Sequence, residues 1–183
     1  MNDDVPGAGS VSAPYLLRTA RLGLRRWRPT DLDPFARMNG DPAVMEYFPR
    51  VSTAAESAAL VDRIEAHFGE FGFGLYATDR LDTGEFIGFV GLSRPSFSAW
   101  FTPCFEIGWR LRVSAWGQGF ATEAALEVLR YGLMEVGLER IYSWTAAVNL
   151  RSERVMQKIG MVKVGEFEHP KVEEGSGLKT QLS

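Results

Sequence analysis

The sequence predicts an α+β (mixed α/β) fold, a meander of strands followed by strand–helix–strand–helix–strand. Three observations predict it. Thr53-Ala-Ala-Glu56 spells a capping box, and Val61, Ile64 and Phe68 then recur at helical spacing. Short apolar runs bounded by turn residues, such as Phe86 to Leu92 after Asp82-Thr83-Gly84, read as strands. A strand at 104–113 leads through a glycine-containing loop straight into a long amphipathic helix.

The elements follow in order. Residues 1–14, with Pro6, Gly7, Gly9 and Pro14, are expected to form a flexible leader to a single domain over 15–183. Arg21 to Arg28 alternates as a half-buried strand, and Thr30, Asp33 and Pro34 mark a helix start. The capping-box helix runs to Gly69, and Phe71 to Thr78 and Phe86 to Leu92 are strands. Ser93 to Pro103 is a loop whose Phe97, Trp100 and Phe101 are candidates to line an acceptor pocket. A helix over Gly119 to Val136 follows, then a strand over Ile141 to Ala147. A helix over Asn149 to Ile159 stops at Gly160, and a last strand spans Val162 to Glu168.

Composition narrows the function classes. Twenty basic residues against 23 acidic ones give a net charge of −3, without the basic excess of a phosphate-backbone binder. One cysteine, Cys104, and two histidines, His67 and His169, exclude a disulfide framework and argue against a metal site. No apolar run reaches the ~18 residues of a membrane span. The expectation is a soluble, cytoplasmic protein without nucleic-acid or membrane partners.

The stretch from Leu111 to Glu123 carries the chemistry. The first amides of a helix have no partner inside it, and the helix dipole adds partial positive charge there. With Gly117 and Gly119 allowing close approach, this is an anion site suited to a pyrophosphate. Two competitors fail. A P-loop needs Gly-Lys-Ser/Thr where Gly119 is followed by Phe120 and Ala121. A dinucleotide fold needs glycine where Thr122 stands and an acid at the end of the next strand, which reads Ala146-Ala147-Val148.

Three stretches resemble a known family: Glu106 to Val113, Trp116 to Ala124, and Asn149 to Gly160. Together they are similar to the GNAT superfamily of acetyl-CoA-dependent N-acetyltransferases, most closely its RimJ/RimL-like branch of ribosomal-protein alanine/serine N-acetyltransferases. The resemblance covers roughly residues 15–172. It implies a central mixed, mostly antiparallel sheet flanked by helices. It also implies acetyl transfer from acetyl-CoA to a primary amine, on a protein N-terminus or a small molecule, in a ternary complex. A homodimer is a further possibility it raises.

Residue roles follow from the same resemblance. The backbone of Leu111, Arg112 and Val113 would hold the pantetheine arm. The amides of Gly117, Gln118, Gly119, Phe120, Ala121 and Thr122 would hold the pyrophosphate, and Asn149 would bond the cofactor arm. Where many relatives place a thiolate-protonating tyrosine, Met156 stands, so Ser152 is the available hydroxyl; Trp116 replaces the family's Gln or Arg. Glu106 is the candidate base. Plainer roles stay open: Glu106 as a structural partner of Arg110, Ser152 as a surface residue, Asn149 as an N-cap, and the whole chain as a non-catalytic acyl-CoA-binding protein.

Overall fold

The computed structural model describes residues 15–168 and 180–183, so the expected leader and His169 lie outside the described residues. Among these residues, six strands form one sheet in chain order. They are β1 (Leu17–Arg18), β2 (Leu22–Arg25), β3 (Leu75–Arg80), β4 (Phe86–Ser93), β5 (Phe105–Leu111) and β6 (Ile141–Tyr142). Neighbours are antiparallel except β5 and β6, which run parallel. A second, antiparallel sheet has β9 (Thr180–Leu182) between β7 (Trp144–Ala146) and β8 (Gly165–Phe167). The helices are α1 (Leu32–Asn39), α2 (Ala54–Phe71), α3 (Phe120–Met134) and α4 (Leu150–Lys158). This is the mixed, mostly antiparallel sheet with flanking helices that the family resemblance implies.

Local chemistry sets the ends. Thr53 Oγ1 accepts from the Glu56 N–H while Glu56 accepts from the Thr53 N–H, which closes the capping box and starts α2. Gly72, at φ +77°, ends α2 in the left-handed conformation that glycine adopts without strain. Phe71 is therefore the last residue of the helix, and the strand expected from that point begins only at Leu75. Pro34 sits in the first turn of α1, where its missing N–H costs nothing.

Alternation along the strands assigns the two faces of the sheet. Phe89 on β4 meets Phe35 of α1 at 6.0 Å between ring centroids. The opposite face carries Leu92, against which Gly132 of α3 packs so closely that a Cβ would meet Leu92 and Ile141 at 2.9 Å. Register pairs Phe89 with Arg110 and Leu92 with Ile107. Glu106, Gly108 and Arg110 thus look toward α1, whereas Phe105, Ile107, Trp109 and Leu111 share the α3 face.

A buried ion network ties β2 to this frame. Arg25 donates to both oxygens of Asp79 at 2.6 and 2.8 Å and to both of Asp31 at 2.7 and 2.9 Å. Its fifth N–H reaches the Arg26 carbonyl at 3.1 Å, so every donor of a side chain only 3% exposed is used. Such pairing is what makes a buried guanidinium tolerable.

The strand expected over Ile141 to Ala147 is in fact two, and the break is the main departure from expectation. After Tyr142 the chain leaves β5. Ser143 exchanges backbone hydrogen bonds with Ser183 at 2.7 and 2.8 Å, which commits it to the second sheet. Its hydroxyl still donates to the Ile107 carbonyl at 2.9 Å, on the first sheet. Beyond that bond, among the described residues, no strand pairs with β5 on the side away from β4. Ser143→Ala should lower folding stability by about 1 kcal/mol through loss of this buried bond. The shift of the urea midpoint measures it.

Candidate active site

A cleft of about 1060 Å³ opens where β6 gives way to β7. Hydrogen bonds from β5 to β4 use the backbone of alternate residues, with the Arg112 N–H on Ile87 O at 3.0 Å. By that alternation the Trp109 N–H and C=O and the Leu111 N–H point away from β4, toward the opening. The Leu111 carbonyl points the same way and accepts from the Trp116 indole at 2.7 Å. Trp116, which departs from the family's pattern, therefore braces the wall of the cleft, and Arg151 stacks on its ring at 4.5 Å.

The loop before α3 supplies the second wall. Gly117 and Gly119 have φ of +72° and +81°, and Gly119 is the N-cap of α3 with no side-chain cap. Glu123 is the first residue whose N–H bonds back, to Gly119 O at 3.0 Å. The N–H groups of Phe120, Ala121 and Thr122 have no intrahelical acceptor. Arg21 Nη1 donates to the Gln118 carbonyl at 3.0 Å, and in a trans peptide the Gly119 N–H then points to the opposite side. Glycine is favoured at 119 by its left-handed backbone rather than by lack of space, since a Cβ there would make only an ordinary contact with Arg21 at 3.5 Å.

Arg21 is itself fixed from α3. Glu123 accepts from Thr19 Oγ1 at 2.6 Å, from the Arg21 N–H at 2.9 Å and from Arg21 Nε at 2.6 Å. Burial works to raise the Glu123 pKa, but these bonds and the Arg21 charge hold it below the ordinary 4.5.

The N-terminus of α4 completes the site, and it is capped. Asn149 Oδ1 accepts from the Ser152 N–H at 3.2 Å, while Nδ2 donates to Thr145 Oγ1 at 2.9 Å and to Ser152 Oγ at 3.2 Å. The Asn149 side chain is thus spent inside the protein. The Ser152 oxygen is an acceptor, which leaves its proton to be given elsewhere. Arg154 and Lys158, one turn apart, line the same wall.

The cleft brings together Glu106, Ser152, Leu111, Gly117, Gly119, Phe120, Ala121, Thr122 and Asn149 from three stretches of the chain, at 106–111, 117–122 and 149–152. Arg112, Val113 and Gln118 are not on its walls. The Arg112 side chain pairs with Glu85, and its carbonyl and that of Val113 accept from Ala115 and Trp116. Gln118 turns its amide to Ser114 O at 2.8 Å.

Glu106 shares its face with Gly108 and Arg110, not with its apolar sequence neighbours. Cys104 is half-buried, and burial with the nearby Glu106 charge pushes its thiol up to about 11. Phe97 and Phe101 do not line the cleft, contrary to expectation. They pack with Trp144 and Phe167 behind the second sheet, and Trp100 packs on Phe101. The remaining walls come from residues with no motif signal, among them Asn39, Phe48, Arg50 and Arg63 from α1, α2 and the segment between them. His67 bridges the Phe73 carbonyl and the Arg94 N–H away from the cleft.

Residues 21–162 match the model of the acetyltransferase (GNAT) domain. The chain belongs to the GNAT acetyltransferase family. A relative named uncharacterized N-acetyltransferase YnaD, from Bacillus subtilis, is 31% identical over 153 residues, 82% of this chain and 85% of that one. FsC-acetyl coenzyme A-N(2)-transacetylase of Aspergillus fumigatus is 29% identical over 179 residues, 91% and 75% of the two chains. A GNAT-family acetyltransferase structure from Bacillus anthracis superposes with a TM-score of 0.73 at 25% identity, covering 91% of this chain and 95% of that one. This GNAT chain is accordingly an N-acetyltransferase at the level of its family. Among the described residues no helix is long and apolar enough to cross a membrane, and no cluster of His, Cys, Asp or Glu could hold a metal ion.

A pH test follows from the Glu123 clasp. A carboxylate whose pKa is lowered in the folded state contributes stability in full above its unfolded pKa and loses it as the pH falls through the folded one. The melting temperature should therefore decline as the pH drops below about 4.5, the unperturbed value. Glu123→Gln should make that decline shallower, as thermal melts across this window would register.

Proposed function

We propose that this GNAT enzyme uses acetyl-CoA as its cosubstrate and transfers the acetyl group to a primary amine by direct attack. The observation that carries the reading is the opened edge of β5 beside the uncapped start of α3. One offers strand-like backbone groups to an amide-bearing arm, and the other offers free amides to a pyrophosphate. The cationic Arg154 and Lys158 on α4 suit further phosphate charge. The likeness to the RimJ/RimL-like branch concerns this half of the site, because every motif that carries it lies at 106–160.

When bound, acetyl-CoA supplies an electrophilic thioester carbon and a thiolate leaving group. Glu106 accepts a proton from the incoming ammonium, directly or through one water, so that the amine nitrogen can attack. Ser152 turns its hydroxyl proton toward the sulfur, since Asn149 Nδ2 already occupies its oxygen as donor. Asn149 is then a positioning residue. Its carbonyl fixes the helix start while its amide sets the direction in which Ser152 donates.

Three measurements test this. Acetyl-CoA should raise the melting temperature, because it binds only the folded cleft. Glu106→Gln should leave that shift intact and lower kcat by about 10²-fold, with the acidic limb of the pH–rate profile flattened. Ser152→Ala should lower kcat with acetyl-CoA affinity retained. Wild-type turnover in Glu106→Gln with an unmoved profile would return Glu106 to a structural role. A thermal shift without thiol release from any amine would favour a non-catalytic acyl-CoA-binding protein.

A further inference from the structure

The second arginine of the sheet interior is unlike the first. Arg25 spends all five N–H groups, four of them on carboxylates. Arg110, on the α1-facing side of β5, donates one, from Nη1 to Asn39 Oδ1 at 2.8 Å. Its Nε is buried without a partner among the described residues. Burial pushes its pKa down to about 10, with no carboxylate among the described residues acting on it, so it remains a cation at neutral pH.

The surroundings prepare this cation without neutralising it. Phe48 and Phe89 lie on its guanidinium at 4.3 and 5.5 Å, which favours a charged group over the rings. Asn39 is fully buried and is held by Ser57, to which its Nδ2 donates at 3.0 Å, while the Ser57 hydroxyl donates to the Thr53 carbonyl at 3.0 Å. Removing a guanidinium from water without a counter-ion destabilises a fold, so its retention in a cleft calls for a ligand. Nearby, Arg50 is already paired with Glu56.

Resting on the acetyl-transfer reading, we propose that the acceptor is a small amine that also carries a carboxylate. Arg110 binds that carboxylate with two of its four remaining N–H groups while the amine stands at Glu106. The planar fork of a guanidinium matches a carboxylate two bonds at a time. Glu106 and Arg110 lie on one face of β5, about 13 Å apart along the strand, within reach of two long side chains and a small molecule between them. Gly108 stands between them and leaves the floor open, since a Cβ there would sit 3.7 Å from Glu106 Oε1 in ordinary contact. The walls around Arg110 suit an anion and disfavour a polyamine, whose charges would meet an unpaired cation.

The test uses the full chain with acetyl-CoA. Thiol release is followed for the standard amino acids and 4-aminobutanoate, each beside the amide that replaces its carboxylate. At least one acid should show kcat/KM ~10-fold or more above its own amide, the size of a charge-assisted hydrogen-bond effect. The preference should shrink to about threefold or less in Arg110→Gln and be intermediate in Arg110→Lys, which keeps the charge without the fork. Gly108→Val should raise KM for the acid while the acetyl-CoA thermal shift stays as in wild type. If Arg110→Gln does not fold, the acid-over-amide preference of Arg110→Lys decides the matter, and a preference as large as wild type overturns the proposal.

Amides accepted as well as acids would overturn the proposal and leave acetyl transfer standing. So would a preference that persists in Arg110→Gln, or turnover confined to peptides and polyamines. Silence with every amine would sink the acetyl-transfer reading along with it.

Discussion

Everything that gives this protein a site depends on the parting of two strands at Ser143. A parallel neighbour paired along the whole of β5 would satisfy its edge and leave no room for a substrate. The pairing instead ends after Glu106 and Tyr142. Ser143 stands at the fork, with its backbone bonded to Ser183 in one sheet and its hydroxyl to Ile107 in the other. Unpaired strand edges normally invite aggregation. Here the edge lies inside a cleft walled by α3 and α4, which shield it from other chains and leave it open to a ligand.

The starts of those two helices divide the work by how they are capped. Helix α3 begins at a glycine with no side-chain cap, so its orphan amides stay available. Helix α4 begins at Asn149, whose side chain satisfies the Ser152 amide and orients the Ser152 hydroxyl. One terminus is suited to holding an anion and the other to holding a proton donor still. Exchanging the caps would defeat both, since a capped α3 loses donors and an uncapped α4 leaves Ser152 free to rotate.

Much of this was legible in sequence because it is local. The Thr53 capping box, the loop around Gly117 and Gly119, and Asn149 at a helix start all act within about one helical turn. What was not legible depends on residues far apart in the chain. The run from Ile141 to Ala147 has uniform strand character, and only β9, some forty residues on, draws half of it away. Phe97 and Phe101 read as pocket residues because they sit in a loop, yet β7 and β8 supply aromatic partners that bury them elsewhere. Phe105 and Ile107 flank Glu106 in sequence but are not its surroundings, because strand alternation turns them to the other face.

The acceptor half of the cleft was the least legible part, and its physics is distinct. The α3 loop offers backbone amides, which need only the right turn and are readable as glycines. The wall around Arg110 offers side chains from α1, the segment before α2, β4 and β5, related by no spacing in the sequence. What marks that wall is an imbalance: one buried guanidinium is saturated by its own protein, whereas another is supported by Asn39 and two aromatic rings and left with donors to spare. A fold that satisfies Arg25 to its last N–H could have neutralised Arg110 with a single carboxylate on α1. Supplying an amide and two rings in its place keeps the cation in position and keeps its charge available to a guest.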